Sequence, residues 1–179
     1  MALLEMINEK AFLGMEFATW LWYLSEGETR GIEIPKHGFC EIALEKDLLL
    51  SSEVGESQNS TFKGDAPTLA PEAATALLAG KKVKRAKIIL ELDGIKYELS
   101  LNAESFDWSG LKIDTPPSLP FEEAVPIRLN ALEEFHKIFA ALYNMFLDLR
   151  LDPEAWEAEE GKIREWVHGK TEGGNEDAE

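Results

Sequence analysis

A β-hairpin predicted from Lys81 to Asn102 constrains the fold of this chain more than any other stretch. Apolar side chains alternate with polar ones on both arms, and a period of two is typical of a strand with one buried face. The arms meet at Asp93-Gly94, a dipeptide that tolerates the positive φ angles of a tight type I′ turn. This turn fixes the register, so one face of the pair should lie in the core and the other in water. The core face is predicted to carry Ala86, Ile88, Leu90 and Leu92 on the first arm, and Ile95, Tyr97, Leu99 and Leu101 on the second.

The base of the hairpin has the strongest local concentration of positive charge in the sequence. Five of the chain's 18 basic residues fall within seven consecutive positions. Lysines on a strand often lie in solvent and discourage pairing with another sheet, and this interpretation explains the stretch as well as an anion-binding role does. The five residues are Lys81, Lys82, Lys84, Arg85 and Lys87.

The charge of the whole chain argues against simple nucleic-acid binding. The 179 residues include 34 Asp and Glu against 18 Lys and Arg, a formal charge of -16, which opposes contact with polyanions. The excess is unevenly spread, because 8 basic and 7 acidic residues lie between positions 63 and 112. A local patch in this middle segment is therefore still able to meet phosphate, with an affinity that the surrounding charge lowers.

Cysteine content and the length of the apolar runs set the expected compartment. The single cysteine, Cys40, excludes an intrachain disulfide, so we expect a reducing, cytoplasmic location. The apolar runs are too short to span a bilayer, and we expect no membrane partner. The length is that of one domain, which we place at residues 1–168, and the small, polar and acidic residues 169–179 are interpreted as a disordered tail.

The first half of the chain predicts a buried helix followed by short strands. The helix, Phe12–Glu26, is apolar nearly all round, as in a helix that lies in a core or against a partner. After a loop bracketed by Gly27 and Gly31, strands are predicted at 39–44, 47–52 and 60–63. With the hairpin they indicate an α+β fold, a largely antiparallel sheet of about five strands packed against N-terminal and C-terminal helices.

Aromatic residues in the N-terminal helix offer a second use for it. Trp20, Trp22 and Tyr23 are of the type that stacks on bases in proteins that bind single strands. No basic residue lies between Phe12 and Glu26, however, which favours packing in the core.

Further elements are predicted on both sides of the hairpin. A short helix at 71–79 has proline in its first turn, and an edge strand is expected at 111–113. The longest helix is predicted at 121–149, and Asp152 followed by proline begins a shorter one. The long helix has a wide apolar stripe, which favours packing across the sheet over a dimer contact between helices. The stripe contains Leu132, Phe135, Phe139, Leu142, Phe146 and Leu149.

The sequence contains no established catalytic motif. His37 and Cys40 are too few to hold zinc, which needs three or four ligands. Glu91, Asp93 and Lys96 at the hairpin turn approach the carboxylates and lysine of a metal-dependent nuclease, but exposed turn charges explain them as well. We therefore expect no enzyme, no catalytic residues, no cofactor and no metal site.

Four segments occur in an order that is similar to that of a known protein family. They are the aromatic helix FLGMEFATWLW, the strands GFCEIALEKDLLLSSE, the hairpin with its flanks from TFKGDAPTLAPEAATALLAGKK to LNAESFDWSGLKI, and the helix LNALEEFHKIFAALYNMFLDL. The most specific part is the short helix that ends at Ala79-Gly80-Lys81 and runs straight into a strand. In this order the chain resembles, over most of its length, the C-terminal half of RdgC, the bacterial recombination-associated protein.

The resemblance to RdgC implies a function in DNA recombination or its control. RdgC proteins resemble clamps: a homodimeric ring encloses DNA with little sequence preference and restrains recombination by RecA. Nothing in this chain corresponds to the family's N-terminal half, so either another chain supplies it or the fold serves as an interaction module. The positions that match the family's basic region would contact phosphates as point charges, and they are Lys63, Lys81, Lys82, Lys84, Arg85 and Lys87.

Two functions follow as hypotheses. The first is a non-enzymatic, RdgC-like DNA-binding protein. The second is an acidic protein-interaction module that engages a basic protein partner, by presenting carboxylates in place of phosphates or as a subunit of a larger assembly. Charge reversal at Lys84, Arg85 and Lys87 should abolish the first activity and spare the second, and loss of residues 169–179 should do the opposite.

Overall fold

The described part of the chain contains four α-helices and six strands. It comprises residues 3–52, 59–64, 67–114 and 121–173 of a computed structural model. The elements are α1 (Leu3–Glu26), β1 (Gly31–Ile34), β2 (Gly38–Ser51), β3 (Ser60–Gly64), a 3-10 turn (Pro67–Leu69), α2 (Pro71–Leu78), β4 (Lys82–Leu92), β5 (Ile95–Asn102), β6 (Asp107–Ile113), α3 (Phe121–Leu151) and α4 (Pro153–Gly173).

All the strands of the described residues join one antiparallel sheet. Its order is β1-β2-β4-β5-β6, and β3 also pairs with β2. Since β4 occupies one edge of β2, β1 and β3 share the other edge, β1 near the start of β2 and β3 near its end. The predicted α+β fold is confirmed, with an antiparallel sheet, a long hairpin and helices before and after it.

The predicted hairpin is formed by β4 and β5. Asp93 and Gly94 have φ angles of 52° and 77°, as a type I′ turn requires, and Leu92 lies directly opposite Ile95. The predicted core positions of both arms are buried except Ile95, which is 38% exposed because it lies beside the turn at the end of the sheet. Ile89, predicted on the wet face, is only 5% exposed but is not part of the continuous core.

Two features of the first strands differ from the predictions. The strands predicted at 39–44 and 47–52 form the single strand β2, in which Lys46 has a φ of 63° beside a register shift. The polar residues there suggested a turn, but pairing with β4 continues past them. Strand β1 was not predicted; it begins at Gly31, where the predicted loop ends, and its four residues are too few to show a period-two pattern.

Helix α1 lies at the centre of the core. The ring of Phe17 contacts the rings of five aromatic residues, which come from α1, α3 and the turn after β5. Gly14 allows α1 to approach this turn closely, since a Cβ at Gly14 would lie 2.0 Å from the carbonyl oxygen of Ala103. Trp20 and Trp22 are 2% and 0% exposed, so these two rings pack in the core and do not present a stacking surface.

The long helix α3 places its apolar stripe against the same core. Phe135, Leu142 and Phe146 are fully buried, and Ile138 is 1% exposed. The stripe predicted from the spacing therefore packs within the chain. Its remaining members, Leu132, Phe139 and Leu149, are buried or half-buried.

Helix α4 begins at the predicted cap and ends later than predicted. The carboxylate of Asp152 accepts hydrogen bonds from the backbone N–H groups of Glu154 and Ala155, both at 3.1 Å. The helix continues to Gly173, so residues 169–173 of the predicted tail are helical. Lys170 explains this extension, because its ammonium pairs with Glu26 and donates to the carbonyl oxygen of Thr68 at 2.8 Å. The rest of the predicted tail lies outside the described residues.

Candidate nucleic-acid interface

The basic stretch lies at the start of β4, where a bulge interrupts the alternation of the strand. Leu49 pairs with Arg85 and Leu50 pairs with Val83, which leaves Lys84 as an extra residue. Val83 and Ala86 are therefore both buried although they are three positions apart. The bulge sends the cations before and after it to different parts of the molecule.

Lys82 connects the start of β4 to helix α1. Its ammonium lies 3.2 Å from one carboxylate oxygen of Glu16, and the guanidinium of Arg150 donates to the other oxygen at 2.8 Å. The Glu16 side chain is only 10% exposed. Because a carboxylate this far buried needs partners, Lys82 and Arg150 both contribute to holding α1 and α3 on the sheet.

Lys84 and Lys87 form ion pairs with the turn and the strand that follow them. The Lys84 ammonium lies 2.8 Å from a carboxylate oxygen of Glu104, and that of Lys87 lies 2.6 Å from Glu98. Lys112 on β6 contacts the same oxygen of Glu98 at 2.9 Å. These two hydrogen bonds lower the pKa of Glu98 to about 2, so the carboxylate stays ionised and two cations share it.

The other three predicted site residues, Lys81, Arg85 and Lys63, have different surroundings. Lys81 donates to the hydroxyl of Ser60 at 2.7 Å. Arg85 is exposed, and its partners across the sheet are Leu49 and Asn102. Lys63 is exposed on β3, with Asp47 opposite.

The face of the sheet that carries Arg85 and Lys87, opposite α1, is called the open face here. Its charged side chains are exposed or half-buried, and none belongs to the apolar core. Strand register places both signs of charge on it, so it is a mixed surface and not a basic one. The cations are Lys63, Arg85, Lys87, Lys96 and Lys112, and the carboxylates are Glu33, Glu41, Glu45, Asp47, Glu91, Glu98 and Asp107.

The structure thus divides the six predicted phosphate contacts. Lys63, Arg85 and Lys87 share the open face, whereas Lys82 is engaged with α1 and Lys81 lies beside the end of α2. Lys84 occupies the bulge between the two groups.

Two cations of the open face were not among the predicted site residues. Lys96 lies directly opposite Glu91, and the Asp93-Gly94 turn alone predicts that pairing. Lys112 lies opposite Glu98 only because the pairing of β5 with β6 shifts between Glu98 and Ser100. No local sequence signal predicts this shift.

The described part of the chain has few groups that would suit metal binding or nucleophilic catalysis. None of its His, Cys, Asp and Glu side chains form a cluster of three or more that would suit a metal ion. Cys40 is fully buried, and burial raises the pKa of its thiol to about 12, so it is a poor nucleophile. Glu91 and Lys96 face each other on exposed strand ends beside the turn.

Comparison with known proteins identifies no relative. The chain matches no protein-family model, no curated protein and no solved structure. Among the helices of the described ranges, none is both long enough and apolar enough to cross a membrane.

Proposed function

We propose that this chain is a non-enzymatic, RdgC-like protein that binds the DNA backbone through the open face and acts in recombination or its control. The observation that carries the proposal is the position of Arg85. It is exposed at the middle of a six-stranded sheet, beside Lys87 on the same strand and with no carboxylate directly across from it. A planar, permanently charged guanidinium in that position suits a phosphate.

The ion pairs of the open face support contact with phosphate and not with base edges. Lys87 and Lys112 both contact the carboxylate of Glu98, and each ammonium has three N–H donors, so donors remain for a phosphate oxygen. Lysine ammonium groups bind phosphates as point charges, and such contacts carry no sequence information. Weak sequence preference is therefore the expected behaviour.

Exposure and ion pairing determine which of the cations are suitable for a test of DNA binding. Lys82 has 24% of its side chain exposed and is held by Glu16, so its removal would disturb the fold as well as any contact with DNA. Arg85 and Lys63 are exposed and lie on the same face, two strands apart. Substitution of these two cations should therefore weaken DNA binding and leave the chain folded.

Fluorescence anisotropy of labelled single- and double-stranded DNA, titrated at several salt concentrations, tests the proposal. Each phosphate contact contributes about 0.9 to the slope of log K against log salt concentration for duplex DNA. The double variant Arg85→Gln with Lys63→Gln should lower this slope by ~2 and weaken binding at least tenfold at low salt. Arg128→Gln is the matched control, because Arg128 is exposed on α3 and not on the sheet.

Two outcomes would contradict the proposal. One is the absence of salt-sensitive binding to either DNA at low salt. The other is an equal loss of affinity in the Arg128→Gln control. The resemblance also implies a homodimer. Sedimentation of the chain, alone and with DNA, measures its oligomeric state.

The second candidate function is binding of a basic protein partner, and helix α4 favours it. Glu154, Glu157 and Glu165 are exposed along this helix. In a chain of charge -16 they offer carboxylates to a cationic surface. A labelled oligolysine peptide should then bind, and the triple variant to Gln should weaken it by about tenfold. If the triple variant bound the peptide as tightly as the unmodified chain, α4 would not be the binding surface.

A further inference from the structure

A groove between α2 and α4, which no charged residue of the open face lines, has the properties of a small-molecule site. Its volume is about 370 Å³, within the range of ligand pockets, and its floor comes from α1. The apolar part of its lining consists of Trp20, Leu77, Leu78, Trp156, Ile163 and Val167. We call it the α2–α4 groove.

The size of the groove limits the apolar part of a ligand. A cavity of about 150 Å³ accommodates one benzene ring, so this groove has room for roughly two rings and a polar group. Leu78 lies at the rim with 44% of its surface exposed. A large apolar side chain left in water beside an apolar groove favours an apolar ligand body.

The charges around the groove select the other end of the ligand. Lys81, Lys82 and Arg164 line it together with the carboxylates of Glu16 and Glu160. Glu160 is paired with Arg164 at 2.8 Å, and Glu16 is paired with both Lys82 and Arg150. Among the described residues, the hydrogen-bond partner of the Lys81 ammonium is the neutral hydroxyl of Ser60, and no carboxylate of this part of the chain pairs with it. The rim is thus locally positive in a strongly acidic protein.

We infer that the α2–α4 groove binds a small amphipathic anion, with an apolar body of about two rings between α2 and α4 and a carboxylate-like head at Lys81. The inference is independent of DNA binding, because no charged residue of the open face lines the groove. The body replaces water on the tryptophan and leucine side chains, and the head gains a charge-assisted hydrogen bond.

Calorimetric titration of the whole chain with 2-naphthoate and with its neutral analogue 2-naphthamide tests the inference. The acid should bind about tenfold more tightly than the amide, because only its head is charged. Lys81→Gln keeps a donor towards Ser60 and should remove most of this preference. Leu78→Trp, at a half-exposed position, should fill the mouth and weaken both probes by at least about tenfold.

Lys36→Gln is the matched control, since Lys36 is an exposed lysine between β1 and β2, outside the groove. It should leave both affinities unchanged. Circular dichroism and a urea midpoint establish that each variant is folded. The inference is overturned if the unmodified chain binds neither probe saturably, if it binds both equally, or if Lys36→Gln and Lys81→Gln have the same effect.

Discussion

The two faces of the sheet are stabilised in different ways. On the covered face, Phe17 from α1 contacts the rings of Phe139, Tyr143 and Phe146 from α3. On the open face, the side chains of neighbouring strands form ion pairs such as Lys87 with Glu98. Burial of apolar surface is worth several kcal/mol for each large side chain, whereas a surface ion pair is worth about 1 kcal/mol or less.

This difference separates stability from binding. Residues of the covered face cannot change without disturbing the core, because packing there is continuous from α1 through the sheet to α3. The charged residues of the open face contribute little to folding and are exposed or half-buried, so a partner can reach them. Mutations on the open face are therefore suited to testing function, and mutations on the covered face are suited to testing the fold.

The largest expected effect is that of Phe17→Ala on the covered face. Removal of this fully buried ring should leave a cavity among several aromatic side chains and lower the free energy of unfolding by about 4 kcal/mol. Urea denaturation at neutral pH, followed by circular dichroism, measures the change.

Ile89→Ala provides the comparison on the open face. Ile89 is 5% exposed but is flanked by Ala43 and Glu98 on the neighbouring strands instead of by a helix. We expect a smaller loss, about 2 kcal/mol, because the neighbouring side chains can close over the space. A loss as large as that of Phe17→Ala would show that the open face is packed against another part of the chain.

The sequence predicts the covered face better than the open one. Period-two alternation and the Asp93-Gly94 turn are local signals, and they predict the buried positions of β4 and the pairing of Glu91 with Lys96. The bulge at Lys84 is not local, because it arises from the pairing of β4 with β2. Lys82 meets Glu16 across 66 positions of sequence, and no pattern of charges along the chain predicts such a partner.

These non-local contacts are the main reason why the sequence did not predict the arrangement of the candidate site. A run of cations in the sequence predicts a single basic patch, but carboxylates from α1, β5 and the turn after β5 pair with Lys82, Lys87 and Lys84. Only register and tertiary contacts determine which cations remain exposed. Arg85 stands out for this reason in the structure, although it does not in the sequence.

The smallest expected effect is that of Glu98→Gln, and its dependence on pH distinguishes the two faces. The pKa of Glu98 in the folded chain is lowered from 4.5 to about 2 by the hydrogen bonds from Lys87 and Lys112. A carboxylate with a lowered pKa stabilises the fold above its unfolded pKa, and this contribution is lost as the pH falls towards the folded pKa. At neutral pH the variant should be less stable by about 1 kcal/mol, since the cluster is partly exposed to solvent.

Urea denaturation of both proteins between pH 7 and pH 3 measures this dependence. The difference between Glu98→Gln and the unmodified chain should be constant above about pH 4.5 and shrink below it, because the carboxylate in the unfolded chain then becomes protonated. Glu91→Gln on the same face is the control and should change stability by less than about 0.5 kcal/mol at either pH. The loss in Phe17→Ala should not vary with pH in this way, since no titrating group is removed. If the Glu98→Gln difference were also independent of pH, the ion pairs would not be what stabilises the open face.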